Sequence, residues 1–270
     1  MALCSIHRTR RTTVVLAALS LAAGVLAAPA NAAVDPVTTR ELVGTSVEGR
    51  PITVVHRTSE GATRRVLVIG SIHGDERAGQ RIVRNLLRRA HLPTGLDLWL
   101  ARTVNPDGDH ADRRTNAGGV DLNRNFPYRW GSSPRGATWS GPRPLSEPES
   151  RALRRLVRRI DPHLVISFHQ PLFGVGANDK GMPTVRALAA GMGLPVRDFV
   201  CTGVCRGTFT GWVNKRTDGL AVTVEFGRTV PAWRIRRAVR TVLDVGAPTQ
   251  GQRVLALSRR SFVGSGSSTS

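Results

Sequence analysis

Three short apolar runs set the tightest limit on how this chain can fold, because each is nearly unbroken and each stops at or beside a reactive residue. Arg65 to Ser71 (RVLVIGS) is followed by His73, His163 to His169 closes LVISF with a histidine, and a run near 220–226 (LAVTVEF) carries Glu225. A run of this length without polar alternation marks a strand buried on both faces. Such strands need helices above and below, and the sequence supplies them. Glu76 to Arg89 places Ile82, Val83, Leu86 and Leu87 on one helical face. Ser146-Glu147-Pro148-Glu149 opens a helix through Ile160, with Ser146 and Glu149 spaced as a capping box and Pro148 in the first turn. Further helices are expected near 183–193 and 231–244, and Leu96 to Val104 forms another strand. Strands alternating with helices predict an α/β sheet covered on both faces.

Residues 33–42 read as a lead-in, and Val43 to Val55, with the turn Glu48-Gly49-Arg50-Pro51, as a hairpin. Asn105-Pro106-Asp107-Gly108 is expected to end the 96–104 strand as a turn. Thr115 to Pro144 is long, Gly/Pro-rich and irregular, and loops of that length in a compact domain are usually functional. No Pro/Gly/Ser-rich linker divides the middle, so a single domain is expected over 33–257, followed by a Gly/Ser-rich disordered tail over 258–270.

The first 32 residues read as an export signal. Arg8, Arg10 and Arg11 form a positive start, Thr13 to Ala27 a short apolar stretch, and Ala30-Asn31-Ala32 a small-x-small cleavage site. An uncleaved anchor is the competing reading, and the Arg10-Arg11 pair leaves open a twin-arginine route. Cleavage would leave no transmembrane anchor in the mature form, and the protein is expected to be secreted or associated with the cell wall. Cys201 and Cys205 then remain as an even pair, for which an oxidising compartment permits a disulfide, with two reduced structural cysteines as the alternative. The formal charge is +20, or +17 without the three signal arginines, and only Lys180 and Lys215 among the 39 basic residues are lysines. A surface this basic is drawn to polyanions, which outside a cell include anionic wall polymers. The arginines Arg151, Arg154, Arg155, Arg158 and Arg159 have no interleaved aromatics, so they read as a solvated helix face and no nucleic-acid partner is expected.

Ligand sites in open α/β sheets collect where strands end. His73-Gly-Asp-Glu76 sits at such an end, and a histidine and carboxylate three apart can both turn toward one ion there. Catalytic zinc takes three protein ligands plus water. His169, ending another buried run, completes the set; alone it would read as a core histidine, but beside His73 and Glu76 it reads as the third ligand. His56, His91, His110 and His163 have no comparable setting.

With these residues in place the sequence resembles the zinc carboxypeptidase family, and within it the bacterial murein peptide amidases. The motifs that carry the likeness run in order over residues 48 to 227: Gly70-Ser-Ile-His73-Gly-Asp-Glu76, Asn105-Pro-Asp-Gly108, Gly119-Val-Asp-Leu-Asn-Arg-Asn-Phe-Pro127, Gly141-Pro-Arg-Pro-Leu-Ser-Glu-Pro-Glu149, Ser167-Phe-His169 and Thr223-Val-Glu225. The resemblance implies a single-domain, mixed, twisted α/β sheet with helices on both faces, and one zinc per chain held by His73, Glu76 and His169. It implies that Glu225 is the general base and that Arg114 polarises the scissile carbonyl. It further implies that Asn123 and Arg124 grip the terminal carboxylate, that Asp121 orients His73, and that Thr210 lines the pocket for the terminal side chain. Thr210 is not acidic, so selectivity for terminal lysine or arginine is not expected. Tyr128, the only tyrosine, does not lie where digestive members place a mobile tyrosine over the substrate. Plainer readings stand beside these: Glu225 as a buried ion-pair partner, Arg124 as a tie for the long loop, and Arg113 in place of Arg114.

The function implied is an exported zinc metallopeptidase that removes a C-terminal residue, hydrolysing γ-D-glutamyl-diaminopimelate bonds in peptidoglycan peptides. A zinc carboxypeptidase acting on ordinary peptides, an N-acyl amino acid deacylase and an inactive wall-binding module are the alternatives. Intact-mass measurement of secreted protein is expected to show a chain beginning near Ala33 with Cys201 and Cys205 bridged. Retention of Thr13 to Ala27 would contradict cleavage, and two free thiols would contradict the disulfide.

Overall fold

A computed structural model describes residues 33–59, 61–199 and 206–249. The expected signal segment at 1–32, Cys201, Cys205 and the expected tail at 258–270 lie outside these residues. The strands are β1 (Ala33–Val34), β2 (Val37–Thr45), β3 (Pro51–Thr58), β4 (Arg64–Ile69), β5 (Leu92–Pro93), β6 (Leu96–Ala101), β7 (Leu164–His169), β8 (Gly174–Gly176), β9 (Val196–Arg197) and β10 (Leu220–Glu225). The helices are α1 (Ala78–Leu87), α2 (Pro106–His110), α3 (Pro148–Ile160), α4 (Met182–Met192), α5 (Phe209–Arg216) and α6 (Ala232–Gly246). Eight strands form one mixed sheet in the order β2-β3-β6-β4-β7-β10-β8-β9, while β1 and β5 pair apart from it. The centre is parallel, with β6, β4, β7 and β10 side by side, and antiparallel pairs flank it.

The central apolar runs are buried on both sides because the pleat sends alternate residues into two cores. Val66, Val68, Leu164, Ile166, Phe168, Val222 and Val224 meet α1, α4 and α6 on one face. Leu67, Ile69, Val165 and Ala221 meet α3 and α5 on the other. The α3 helix turns Leu153, Leu156, Val157 and Ile160 inward, while Arg155, Arg158 and Arg159 are exposed on its outer face. Tyr128 packs against the α3/α5 core, with Arg216 over its ring. Among the described residues no helix is long and apolar enough to cross a membrane.

The structure corrects several local expectations. The lead-in at 33–42 contains β1 and the start of β2; β2 is a largely exposed edge strand whose polar residues give no apolar run, and its place comes from backbone pairing to β3. Asn105–Gly108 does not form a plain turn: Asn105 caps α2, its side chain accepting from Gly108 N. The capping box at Ser146 does not form. Ser146 Oγ donates to Glu147, and the Glu149 carboxylate accepts instead from Val47 N at 3.1 Å and Asn116 Nδ2 at 3.2 Å, so a tertiary demand overrides the local motif. The short elements β5, β8, β9 and α5 carried no expectation. The long loop is irregular, as read, and is held by the buried Asn125. That side chain donates to Ser140 O, Arg143 O and Ser146 Oγ and accepts from Glu147 N. Beyond the loop, Lys180 joins α4 to α5 by donating to the carbonyls of Asn214, Thr217 and Gly219.

The α1 helix lies unusually close to the sheet. A Cβ on Gly79 would fall 2.1 Å from Gly70 O and 2.4 Å from Phe168 Cβ, so no side chain fits between helix and strands. Gly79→Ala is therefore expected to lower stability in urea by about 1–3 kcal/mol, the usual penalty of overpacking. An unchanged midpoint would show that α1 can move away from the sheet.

Candidate metal centre and catalytic cleft

The parallel strands β4, β7 and β10 end at one edge of the sheet, which brings His73, Glu76, His169 and Glu225 together. His73 and Glu76 lie on the turn between β4 and α1. That turn is pressed against the Asn105–Gly108 segment, since a Cβ on Gly74 would fall 1.9 Å from the carbonyl carbon of Gly108. That approach leaves no room for a side chain at Gly74, while a Cβ on Gly108 would fall 2.4 Å from the capping amide of Asn105. Asn105 also donates to Arg114 O at 3.2 Å, so the same segment fixes the arginine.

His73, Glu76 and His169 are buried, and one potential ligand atom from each lies within 4.8 Å of the others. Glu76 sits between the rings: Oε1 is 2.7 Å from His73 Nδ1, and Oε2 is 2.9 Å from His169 Nδ1. The opposite ring nitrogens have their own partners. Asp121 Oδ1 lies 3.0 Å from His73 Nε2, and Ser167 Oγ lies 3.1 Å from His169 Nε2. Outer partners of this kind fix ring orientation in metal sites.

Electrostatics give the same answer. Burial by itself lowers the His73 pKa, but the carboxylates of Glu76 and Asp121 outweigh it and raise it to about 9. Burial pushes Glu76 and Asp121 up, yet His73, with His169 for Glu76 and Arg114 for Asp121, holds both well below the usual carboxylate range. Two ionised carboxylates in a buried pocket demand positive charge, which protons or a metal cation can supply. Two imidazoles and one carboxylate, with outer partners in place, suit zinc.

Around this centre lies a cleft of about 320 Å³ lined by Arg114, Asn123, Arg124, Thr208, Thr210, Thr223 and Glu225 with the two histidines, and by Gln170, Pro171, Leu172 and Phe199. Arg114 donates to Asp121 Oδ2 through Nε at 3.1 Å and Nη2 at 2.8 Å, and to Glu76 Oε1 through Nη1 at 3.3 Å. Arg114 and not Arg113 turns inward, because Arg113 is exposed. Asn123 Oδ1 accepts from Phe209 N at 2.9 Å, tying the loop to the start of α5. Arg124 donates to Asn123 O at 2.9 Å, while its Nε is buried with no partner. Arg124 also lines the cleft, and a guanidinium on a cleft wall suits an anion.

Glu225 ends β10 directly beside His169 in the ladder. Burial raises its pKa; His169 opposes the rise, Glu76 adds to it, and the Leu172 N–H, 3.2 Å from Oε2, opposes it. Thr210, on α5, pairs its hydroxyl with that of Thr223 at 3.1 Å, which makes that part of the wall polar and uncharged. Sequence reasoning singled out His73, Glu76, Arg114, Asp121, Asn123, Arg124, His169, Thr210 and Glu225; it missed Thr208, Gln170, Pro171, Leu172 and Phe199, and quoted Ser167 and Thr223 only as motif letters. Ser167 had a signal: two residues before His169 on a strand, it shares the same face.

The sequence pattern of the zinc carboxypeptidase family matches residues 30–171. That span carries His73, Glu76, Arg114, Asn123, Arg124 and His169 and stops before Glu225. Murein peptide amidase A of Escherichia coli is 39% identical over 126 residues, covering 39% of this chain and 49% of that protein. The chain thus spans about half the length of that curated relative. Murein peptide amidase A of Vibrio campbellii is 32% identical over 187 residues, covering 64% of this chain and 73% of that protein. Among solved structures, the murein-tripeptide amidase of Escherichia coli O157 superposes with a TM-score of 0.63 at 28% identity, covering 78% of this chain and 92% of that one. Carboxypeptidase A of Helicoverpa armigera shares the fold, with a TM-score of 0.63 at 18% identity over 85% of this chain and 69% of that one.

Asp121 joins His73, Arg114 and the Asn123 backbone N–H, so its charge matters more than its bulk. Asp121→Asn is expected to weaken zinc binding by about 10–100-fold in competition with a chelator. Unchanged affinity would remove Asp121 from the support of the metal.

Proposed function

This chain belongs to the zinc carboxypeptidase family, and on that footing we propose that it is an exported hydrolase that removes the C-terminal residue from peptidoglycan peptides. The bond proposed is that between the γ-carboxyl of D-glutamate and diaminopimelate. The observation that carries the reading is that Asn123 and Arg124 line the same cleft as His73 and His169 of the His73/Glu76/His169 cluster, which suits a substrate ending in a free carboxylate beside the bond to be cut.

His73, Glu76 and His169 would hold one zinc per chain. When bound, zinc supplies Lewis acidity at the reacting carbonyl and makes water in the site more acidic. Glu225, whose pKa is raised by burial, takes the proton from the attacking water and returns it to the leaving amine. Arg114 presents its guanidinium to the oxyanion without itself exchanging a proton. Asn123 and Arg124 bind the terminal carboxylate, and a guanidinium does this with two parallel hydrogen bonds.

Murein is supported by the likeness to the murein peptide amidases and by the export signal read in the sequence. The hydroxyls of Thr210 and Thr223 add to this, since they offer no carboxylate to neutralise a lysine. The basic surface would bring the enzyme close to anionic wall polymers.

The test is a comparison of a γ-D-glutamyl-diaminopimelate tripeptide, the tetrapeptide with D-alanine added, and ordinary peptides ending in Phe, Leu or Arg. The tripeptide is expected to be cleaved with the highest kcat/KM. Glu225→Gln is expected to keep its zinc and lose about 10²–10⁴-fold in kcat. Preference for the ordinary peptides would overturn the murein substrate, and near-normal kcat in zinc-loaded Glu225→Gln would remove Glu225 as the base.

A further inference from the structure

The sheet does not by itself fix the distance between the metal ligands and the base. The β4–β7 ladder stops at Ile69 and Ser167, well before Glu76, and the β7–β10 ladder stops at His169 and Glu225. Glu76 therefore rides on a turn whose far end, the start of α1, lies beyond the last strand pairing. The α1 helix also lacks a cap of its own, because Arg77 makes no side-chain capping bond.

Gln170 fills both gaps. Its Oε1 accepts from Ala78 N at 2.8 Å, capping α1 from another element, two residues after Glu76. Its Nε2 donates to Gly227 O at 2.9 Å and Arg228 O at 3.0 Å, just past Glu225. Both amide hydrogens and the carbonyl are engaged, and the residue itself follows His169. We propose that Gln170 is a positioning residue that sets Glu76 against Glu225 by joining the ends of α1, β7 and β10. Gln170 lines the cleft, and the role proposed for it is exerted through the groups it holds. The inference rests on the metallopeptidase reading of the cleft.

The two halves of the amide can be separated. Gln170→Met keeps the length and removes every hydrogen bond. Gln170→Glu keeps an acceptor for Ala78 N but sets a carboxylate against two carbonyls. In folded Gln170→Met, the zinc dissociation constant from chelator competition is expected to rise about 10-fold. Its kcat is expected to fall about 100-fold with KM within about twofold, because small displacements of catalytic groups are that damaging. Gln170→Glu is expected to hold zinc at least as tightly as the parent while losing kcat to a similar extent. The absorption of the cobalt(II)-loaded protein should shift in Gln170→Met and much less in Gln170→Glu.

A merely structural glutamine would lower the melting temperature of both variants and leave zinc affinity and kcat within about twofold of the parent, and that result overturns the proposal. If Gln170→Met does not fold, loss of kcat in zinc-loaded Gln170→Glu still supports it and normal kcat overturns it. A parent protein that binds no zinc would overturn the metallopeptidase reading and the clamp with it, whereas a zinc-binding parent with unaffected variants overturns the clamp alone.

Discussion

One buried carboxylate joins the regular part of this molecule to the irregular part. Asp121 stands on the long loop, yet it contacts the ring of His73 from the strand edge, the guanidinium of Arg114, and the backbone N–H of Asn123. A fully buried charge is tolerable only when its partners are placed to meet it. The loop must therefore adopt one course, and that course presents Asn123 and Arg124 to the cleft. The receptor for substrate and the support for the metal are thus consequences of a single electrostatic requirement.

The same economy appears around the turn between β4 and α1. Gly74 lies against the Gly108 backbone, and Gly79 against the Gly70 backbone and the Cβ of Phe168, so there is little flexible side chain to yield. Close-packed interiors transmit strain because they have little free volume. The position of Glu76 is accordingly set by three separate contacts: the Gly108 segment, the sheet beneath Gly79, and the amide of Gln170.

Much of this was legible in the sequence because burial leaves a pattern. The runs RVLVIGS, LVISFH and LAVTVEF could only be strands covered on both faces, and reactive residues at their ends marked the edge of the sheet where the cleft lies. The elements that escaped had no such pattern. β2 is an edge strand of polar residues, and β8, β9 and α5 are too short for periodicity to show. The capping box at Ser146 was misread for a different reason: Glu149 is claimed by Val47 N and Asn116, and a distant partner cannot be seen in a local motif. The role of Gln170 was invisible on the same ground, since its three partners lie 57 to 92 residues away in the chain.

The scarcity of lysine gives the fold a practical handle. A side-chain ammonium has three hydrogens, and Lys180 directs its own to three backbone carbonyls that close the end of α5. Lys215, exposed on α5 itself, is the other lysine in the chain. Besides the terminal amine and the exposed but hydrogen-bonded Lys180, amine-directed dyes would meet Lys215, which sits on the helix that also carries Thr210. A fluorophore attached there would ride on the outer side of that helix, so a shift of α5 when the cleft fills could be followed by light without introducing a single mutation.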